Sequence, residues 1–176
     1  MKLSRFFLAV AAGLALLSVP VRSADGGGRE AATEAMLRGE TLGPLRLGLA
    51  EKAVLKALGK PAKQTALVLQ GADGNYVQEW HYPSQGIELM MSAREKKTGT
   101  RTIAIIKAAA PCAFATRQGI KIGSPEAAAR KAYAAHVDRD SPAEKGTFVA
   151  GSIYGGIIFN FAQGKVSRIF FGAAAE

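Results

Sequence analysis

A chain of 176 residues carrying a formal charge of +9, with 48% apolar and 21% charged residues, has room for one ordinary domain or two small ones and the composition of a packed protein. Its single cysteine excludes an internal disulfide and a cysteine-based metal centre. The positive balance favours acidic partners or anionic surfaces, but the basic residues are scattered and lie in no recognised nucleic-acid module, so no nucleic-acid partner is expected.

Lys2 and Arg5 form a short positive region ahead of Phe6 to Val19, an apolar run of 14 residues that is short for a bilayer span. Val21 and Ser23 then supply β-branched or small residues where a signal peptidase reads, with cleavage after Ser23 or Ala24. The prediction is a signal peptide over 1–24 and an exported, periplasmic or secreted protein, with an uncleaved anchor as the alternative. Removing it takes away Lys2, Arg5 and Arg22 and no acid, which leaves +6. No cysteine lies near the cleavage site to carry a lipid.

Residues 25–41 read as a flexible leader or a short helix, with Glu30 to Arg38 the helical part and Gly39 its stop. A first α/β unit is predicted over 42–109. Pro44 keeps Gly43 extended. Ala50 to Leu58 has Ala50, Val54 and Leu58 on one helical stripe and Lys52 and Lys56 on another, and it ends at Gly59 and Pro61. Thr65 to Gln70 reads as a strand. Tyr76 to Tyr82 alternates, with Tyr76, Gln78, Trp80 and Tyr82 on the side expected to face a core. After the turn at Pro83 to Gly86, Ile87, Leu89 and Met91 alternate with Glu88, Met90 and Ser92. Arg101 to Ala108 is a further strand, apolar on nearly every residue at its centre.

A second unit is predicted over 110–176. Cys112, between Pro111 and Ala113-Phe114, has the apolar setting of a buried, inert thiol. Ser124 is placed to cap a helix over Ala127 to Ala135, with Pro125 at its first position and Glu126 paired with Arg130. Asp138 to Lys145 is a polar loop. Thr147 to Ala150, Ile153-Tyr154, Gly156 to Phe161 and Val166 to Phe171 read as strand segments.

The two units share an order of signals. Leu47-Gly48-Leu49-Ala50-Glu51-Lys52-Ala53-Val54 returns 75 residues later as Ile122-Gly123-Ser124-Pro125-Glu126-Ala127-Ala128-Ala129. Gly86-Ile87-Glu88-Leu89 matches Gly156-Ile157-Ile158-Phe159, and Ile103 to Ile106 matches Val166 to Ile169. The Leu47 to Pro61 segment resembles the opening of the SmpA/OmlA (BamE-like) outer-membrane assembly lipoproteins. The tandem arrangement is similar to the β-lactamase-inhibitory-protein-like (BLIP-like) fold. Over about residues 42–172 the resemblance implies an α+β protein of two tandem helix-plus-antiparallel-sheet repeats, with the helices on one sheet face and the other free to contact a protein. The chain departs from the lipoproteins in lacking the lipidated cysteine.

Neither histidine sits in a metal-ligand pattern, no serine or cysteine carries a nucleophile motif, and the glycine clusters lack the spacing of a phosphate loop. The chain is therefore read as non-enzymatic, with no catalytic residue, metal or cofactor; a secreted hydrolase is the less favoured class. His81 falls opposite Glu88 in a hairpin register, and His136 ends a helix, where a cation suits the dipole. If the aromatic side of Tyr76 to Tyr82 faces the core, the presentable face carries Val77, Glu79, His81, Glu88 and Met90. The expected function is docking of a cell-envelope protein there, with a lipid or anionic surface as the other partner class. The resemblance adds two alternatives, an outer-membrane assembly or envelope-maintenance factor and a secreted hydrolase inhibitor.

Overall fold

The computed structural model describes residues 26–70, 74–94, 99–137 and 145–174. The predicted signal peptide and most of the loop predicted over 138–145 lie outside them. The described residues form an α+β fold with three helices: α1 (Gly26–Gly39), α2 (Glu51–Leu58) and α3 (Glu126–Ala132). They pack with one antiparallel sheet: β1 (Lys63–Gln64), β2 (Val68–Leu69), β3 (Tyr76–Tyr82), β4 (Ile87–Ala93), β5 (Thr102–Ala109), β6 (Thr147–Ser152), β7 (Gly155–Ala162) and β8 (Lys165–Gly172). The strand order is β1-β3-β4-β5-β8-β7-β6, with β2 also paired to β3. The meander β3-β4-β5 thus meets the meander β6-β7-β8 along one seam, β5 against β8.

Two rows of inward side chains cross the six longer strands in register. Tyr82, Ile87, Ala108, Ile169, Phe159 and Phe148 form one. Trp80, Leu89, Ile106, Phe171, Ile157 and Ala150 form the other, and every member of both is buried. Val54 and Leu58 of α2, Ala129 of α3 and Tyr133 join the same core, with Met36 and Leu37 of α1 packed against it. The alternation in Tyr76–Tyr82 and Ile87–Ala93 arises because period-two geometry sends every second residue to this one buried side.

The helix-entry segments show why glycine precedes each helix. Gly48 at φ +73° and Gly123 at φ +87° occupy the left-handed region, where a side chain is strained. That bend lets the Gly48 N–H donate to the Ile103 carbonyl at 2.8 Å, and the Gly123 N–H to the Val166 carbonyl at 2.8 Å. Return bonds run from the Ile103 N–H to Leu49 and from the Val166 N–H to Ser124. The Glu51 and Glu126 N–H groups donate to Arg101 and Gly164, each at 2.9 Å. Both pairings of a closing strand also shift register, between Met90 and Met91 and between Asn160 and Phe161.

Several expectations change. Helix α1 begins at Gly26, so the leader is helical from there to Gly39. Thr65 to Gln70 is not one strand: only the pairs Lys63–Gln64 and Val68–Leu69 join the ladder, and the Gln78 side chain and the Glu79 N–H reach Thr65 between them. Ser124 does not cap α3; its Oγ accepts the Lys121 N–H at 3.0 Å, closing the preceding turn, and Pro125 is the cap residue. Helix α3 stops at Ala132, and His136 ends a separate 3-10 turn. Ile153 and Tyr154 are the two-residue connection of the β6–β7 hairpin rather than a strand. The Glu126–Arg130 pair forms, at 2.7 Å.

Two polar clusters fasten the helical layer. Arg101 binds Glu51 through an ion pair and donates to Gln78 Oε1 at 3.0 Å, which also accepts the Trp80 indole N–H at 2.9 Å. Glu40, only 3% exposed, accepts the backbone N–H groups of Thr41 and Arg117 and the Tyr133 hydroxyl at 2.9 Å. A buried carboxylate held by three donors ties the end of α1 to the second half of the chain. No helix among the described residues is long and apolar enough to cross a membrane.

Candidate functional site

The face of the sheet turned away from the core carries Val77, Glu79, His81, Glu88 and Met90, all five half-buried or exposed. They lie together on two adjacent strands: Glu79 pairs with Met90 and His81 with Glu88, the register expected from the hairpin. His81 sits between two carboxylates, Nε2 3.6 Å from Glu79 and Nδ1 3.9 Å from Glu88. Those separations exceed hydrogen-bond length, so they make a loose charge pair only when the ring is protonated. Tyr76 is half-buried, while Gln78, Trp80 and Tyr82 face the core.

The outward row does not stop at β4. It runs His81, Glu88, Lys107, Phe170, Ile158 and Val149 across six strands. Its first half is charged or polar and its second half is apolar. Ile105 stands opposite Met90, while Ala109, Arg168, Asn160 and Thr147 form the next outward row, running beside Lys107, Phe170, Ile158 and Val149. The sequence reading therefore finds one side of the face and misses Lys107, Arg168, Phe170, Ile158, Val149 and Asn160.

A cavity of about 600 Å³ opens on this face where the β5–β8 seam meets the turn before β4. His81, Glu88, Lys107, Asn160, Arg168 and Phe170 line it, together with Pro83, Gly86, Ala109 and Ala110. Gly86 is left-handed, and a Cβ there would stand 2.2 Å from the Ala109 carbonyl oxygen, so the turn lies directly on the end of β5. The small side chains of Ala109 and Ala110 leave the hollow beside it. Lys107 and Arg168 are exposed, and among the described residues neither is paired with a carboxylate.

The strongest pKa effects lie on the core side. Burial pushes the Tyr82 phenol up to about 12, and its hydroxyl donates to the Gly59 carbonyl. Burial, and then the neighbouring Glu40 carboxylate, holds the Tyr133 phenol well above the ordinary tyrosine value. Burial also raises the Cys112 thiol, which suits the inert role expected from its surroundings. Among the described residues no three His, Cys, Asp or Glu side chains converge as a metal cage.

No family model, no curated protein and no solved structure matches the chain.

Proposed function

We propose that the chain is an exported, non-enzymatic protein-binding module of the cell envelope, and that it docks its partner on the outward face of the sheet. One observation carries this reading: Phe170, Ile158 and Val149, with Ile105 and Met90 beside them, form an apolar patch on the face opposite the core, flanked by Glu79, His81, Glu88, Lys107 and Arg168. Contiguous apolar side chains with a charged rim are what a protein interface requires, and a surface without a partner rarely keeps them. Export rests on the composition of residues 1–24. The partner is a protein of the same compartment, and no cofactor takes part.

The same proposal includes two tandem α/β repeats of the BLIP-like, SmpA/OmlA type. What supports it is the doubled set of helix-entry bonds, with its two left-handed glycines and two register shifts. On that architecture the alternative roles for the chain are outer-membrane assembly or envelope maintenance, or inhibition of a secreted hydrolase.

The test is a photo-crosslinking amino acid placed at Met90 or Ile158 in the exporting cell, with exposed Lys56 of α2 as the control position. The expected result is a discrete adduct from the outward-face positions, lost with Phe170→Lys. An equal adduct from position 56, or none from either face position, sinks the docking reading.

A further inference from the structure

The cavity at the seam has an imbalance that bears on what the partner presents. Both carboxylates of the outward row's charged end turn to His81, Glu79 at 3.6 Å and Glu88 at 3.9 Å. Among the described residues, Lys107 and Arg168 are left without acidic partners. They lie on a diagonal of one square of the sheet, since Lys107 pairs with Phe170 and Ala109 with Arg168. Diagonal neighbours on one face are roughly 7–8 Å apart at the backbone, so two long side chains can close on a single anion between them. Arg168 adds a planar fork suited to a carboxylate. Phe170 occupies the next corner, and the row continues from it through Ile158 to Val149 with no further charge.

Resting on the docking reading above, we infer that the partner offers this face an acidic side chain followed by apolar ones. The carboxylate is held by Lys107 and Arg168, and the apolar residues lie over Phe170, Ile158 and Val149. The spacing fits an extended segment. Three strand intervals of about 4.8 Å carry the row from Lys107 to Val149, roughly 14 Å in all. An extended peptide rises about 3.4 Å per residue and alternates its side chains, so residues i, i+2 and i+4 on one side span roughly 14 Å. An acid at i with apolar side chains at i+2 and i+4 meets both ends of the row. The cavity volume of about 600 Å³ falls within the usual range of binding clefts.

The test titrates the isotope-labelled exported chain with the synthetic peptide Ac-Glu-Ser-Leu-Ser-Phe-NH2 and follows backbone amide resonances. Two control peptides replace Glu with Gln, or Leu and Phe with Ala. Saturable shifts are expected at Lys107, Ala109, Ile158, Arg168 and Phe170, with each control peptide binding about tenfold more weakly. Lys107→Met and Arg168→Gln, both at exposed positions whose folding the same spectra verify, should each weaken the Glu peptide about tenfold and leave the Gln peptide unchanged. Equal binding of the Glu and Gln peptides, acetate alone saturating the site at the same concentration, or shifts confined to the helical face would each overturn the inference. Because the peptide needs no natural partner, its failure alongside a positive crosslink removes this inference alone. A binding peptide with no crosslink removes the docking reading instead.

Discussion

Each half of the sheet is a three-stranded antiparallel meander, and their outward faces are unlike. From the seam outwards, the first meander places Lys107, Glu88 and His81 on the outward row, and the second places Phe170, Ile158 and Val149. On the inward side the two rows that cross both halves are built of aromatic and aliphatic residues. Burial constrains the inward positions to apolar side chains of fitting volume, whatever the half. Nothing in the packing of the core dictates the outward ones, so a difference there does not follow from how the core packs. The helical layer differs too. Leu58 ends α2, whereas Tyr133, 75 positions on, adds a ring 5.1 Å from Phe159 and a hydroxyl bound to Glu40.

The comparison can be tested first through those two helix ends. Tyr133→Ala removes the ring and leaves the buried Glu40 carboxylate short of a donor, and should cost about 4 kcal/mol in urea unfolding. Leu58→Ala, at the matching position, should cost about 2–3 kcal/mol. Tyr133→Phe isolates the hydroxyl at about 1–2 kcal/mol. Equal losses for the two alanine variants would show that Glu40 adds nothing to the second half.

Alkali should strain both halves through their buried phenols. An unfolded tyrosine loses its proton near pH 10, whereas folded Tyr82 holds its own to about 12. The raised folded value means that this contribution is complete below pH 10 and is lost as pH rises through 12. Thermal midpoints should fall over that window, and Tyr82→Phe should flatten the fall. A midpoint independent of pH between 9 and 12 would contradict the buried phenols.

The ion pairs that seat the helices should also differ. Arg101→Met breaks a partly buried network with Glu51 and Gln78 and should cost about 1–2 kcal/mol. Arg130→Met breaks an exposed pair within α3, and although Arg130 also lies 5.2 Å from the Phe148 ring centroid, the cost should be about 0.5–1 kcal/mol. A larger loss for Arg130 would reverse this ranking. The smallest stability effect belongs to the outward row. Replacing His81, Glu88 and Lys107 by Val, Ile and Phe, the residues of the other half, should move stability by about 0.5 kcal/mol while raising self-association in sedimentation. A loss of several kcal/mol would mean that the charged end is structural.

Much of this layout can be read from the sequence, and the part that cannot has a specific cause. The alternation of Tyr76–Tyr82 and Ile87–Ala93 identifies both faces of β3 and β4, including Val77, Glu79, His81, Glu88 and Met90. The repeated glycine marks both helix entries. Strands β5 and β8 defeat the same reasoning. Met90 pairs with Ile105 but Met91 with Ile103, and Asn160 pairs with Arg168 but Phe161 with Val166. One extra residue, Ala104 or Ser167, therefore sits in each closing strand and reverses its parity. Counted by twos from Val166, Arg168 and Phe170 would point inwards; the bulge turns them out and sends Ile169 and Phe171 in. The seam itself joins residues some 60 positions apart, and no local pattern announces such a pairing.

The ends of the sheet carry a consequence of their own. An open sheet of this width offers two rims at which a foreign strand could add and propagate. One rim is broken into two residues at Lys63–Gln64 and two at Val68–Leu69, too short to template a long partner. On the other, β6 is bridged at Ala150 by Val137, which occupies the middle of its free edge. The protein can therefore keep a broad sheet surface while resisting growth into filaments through its own strands.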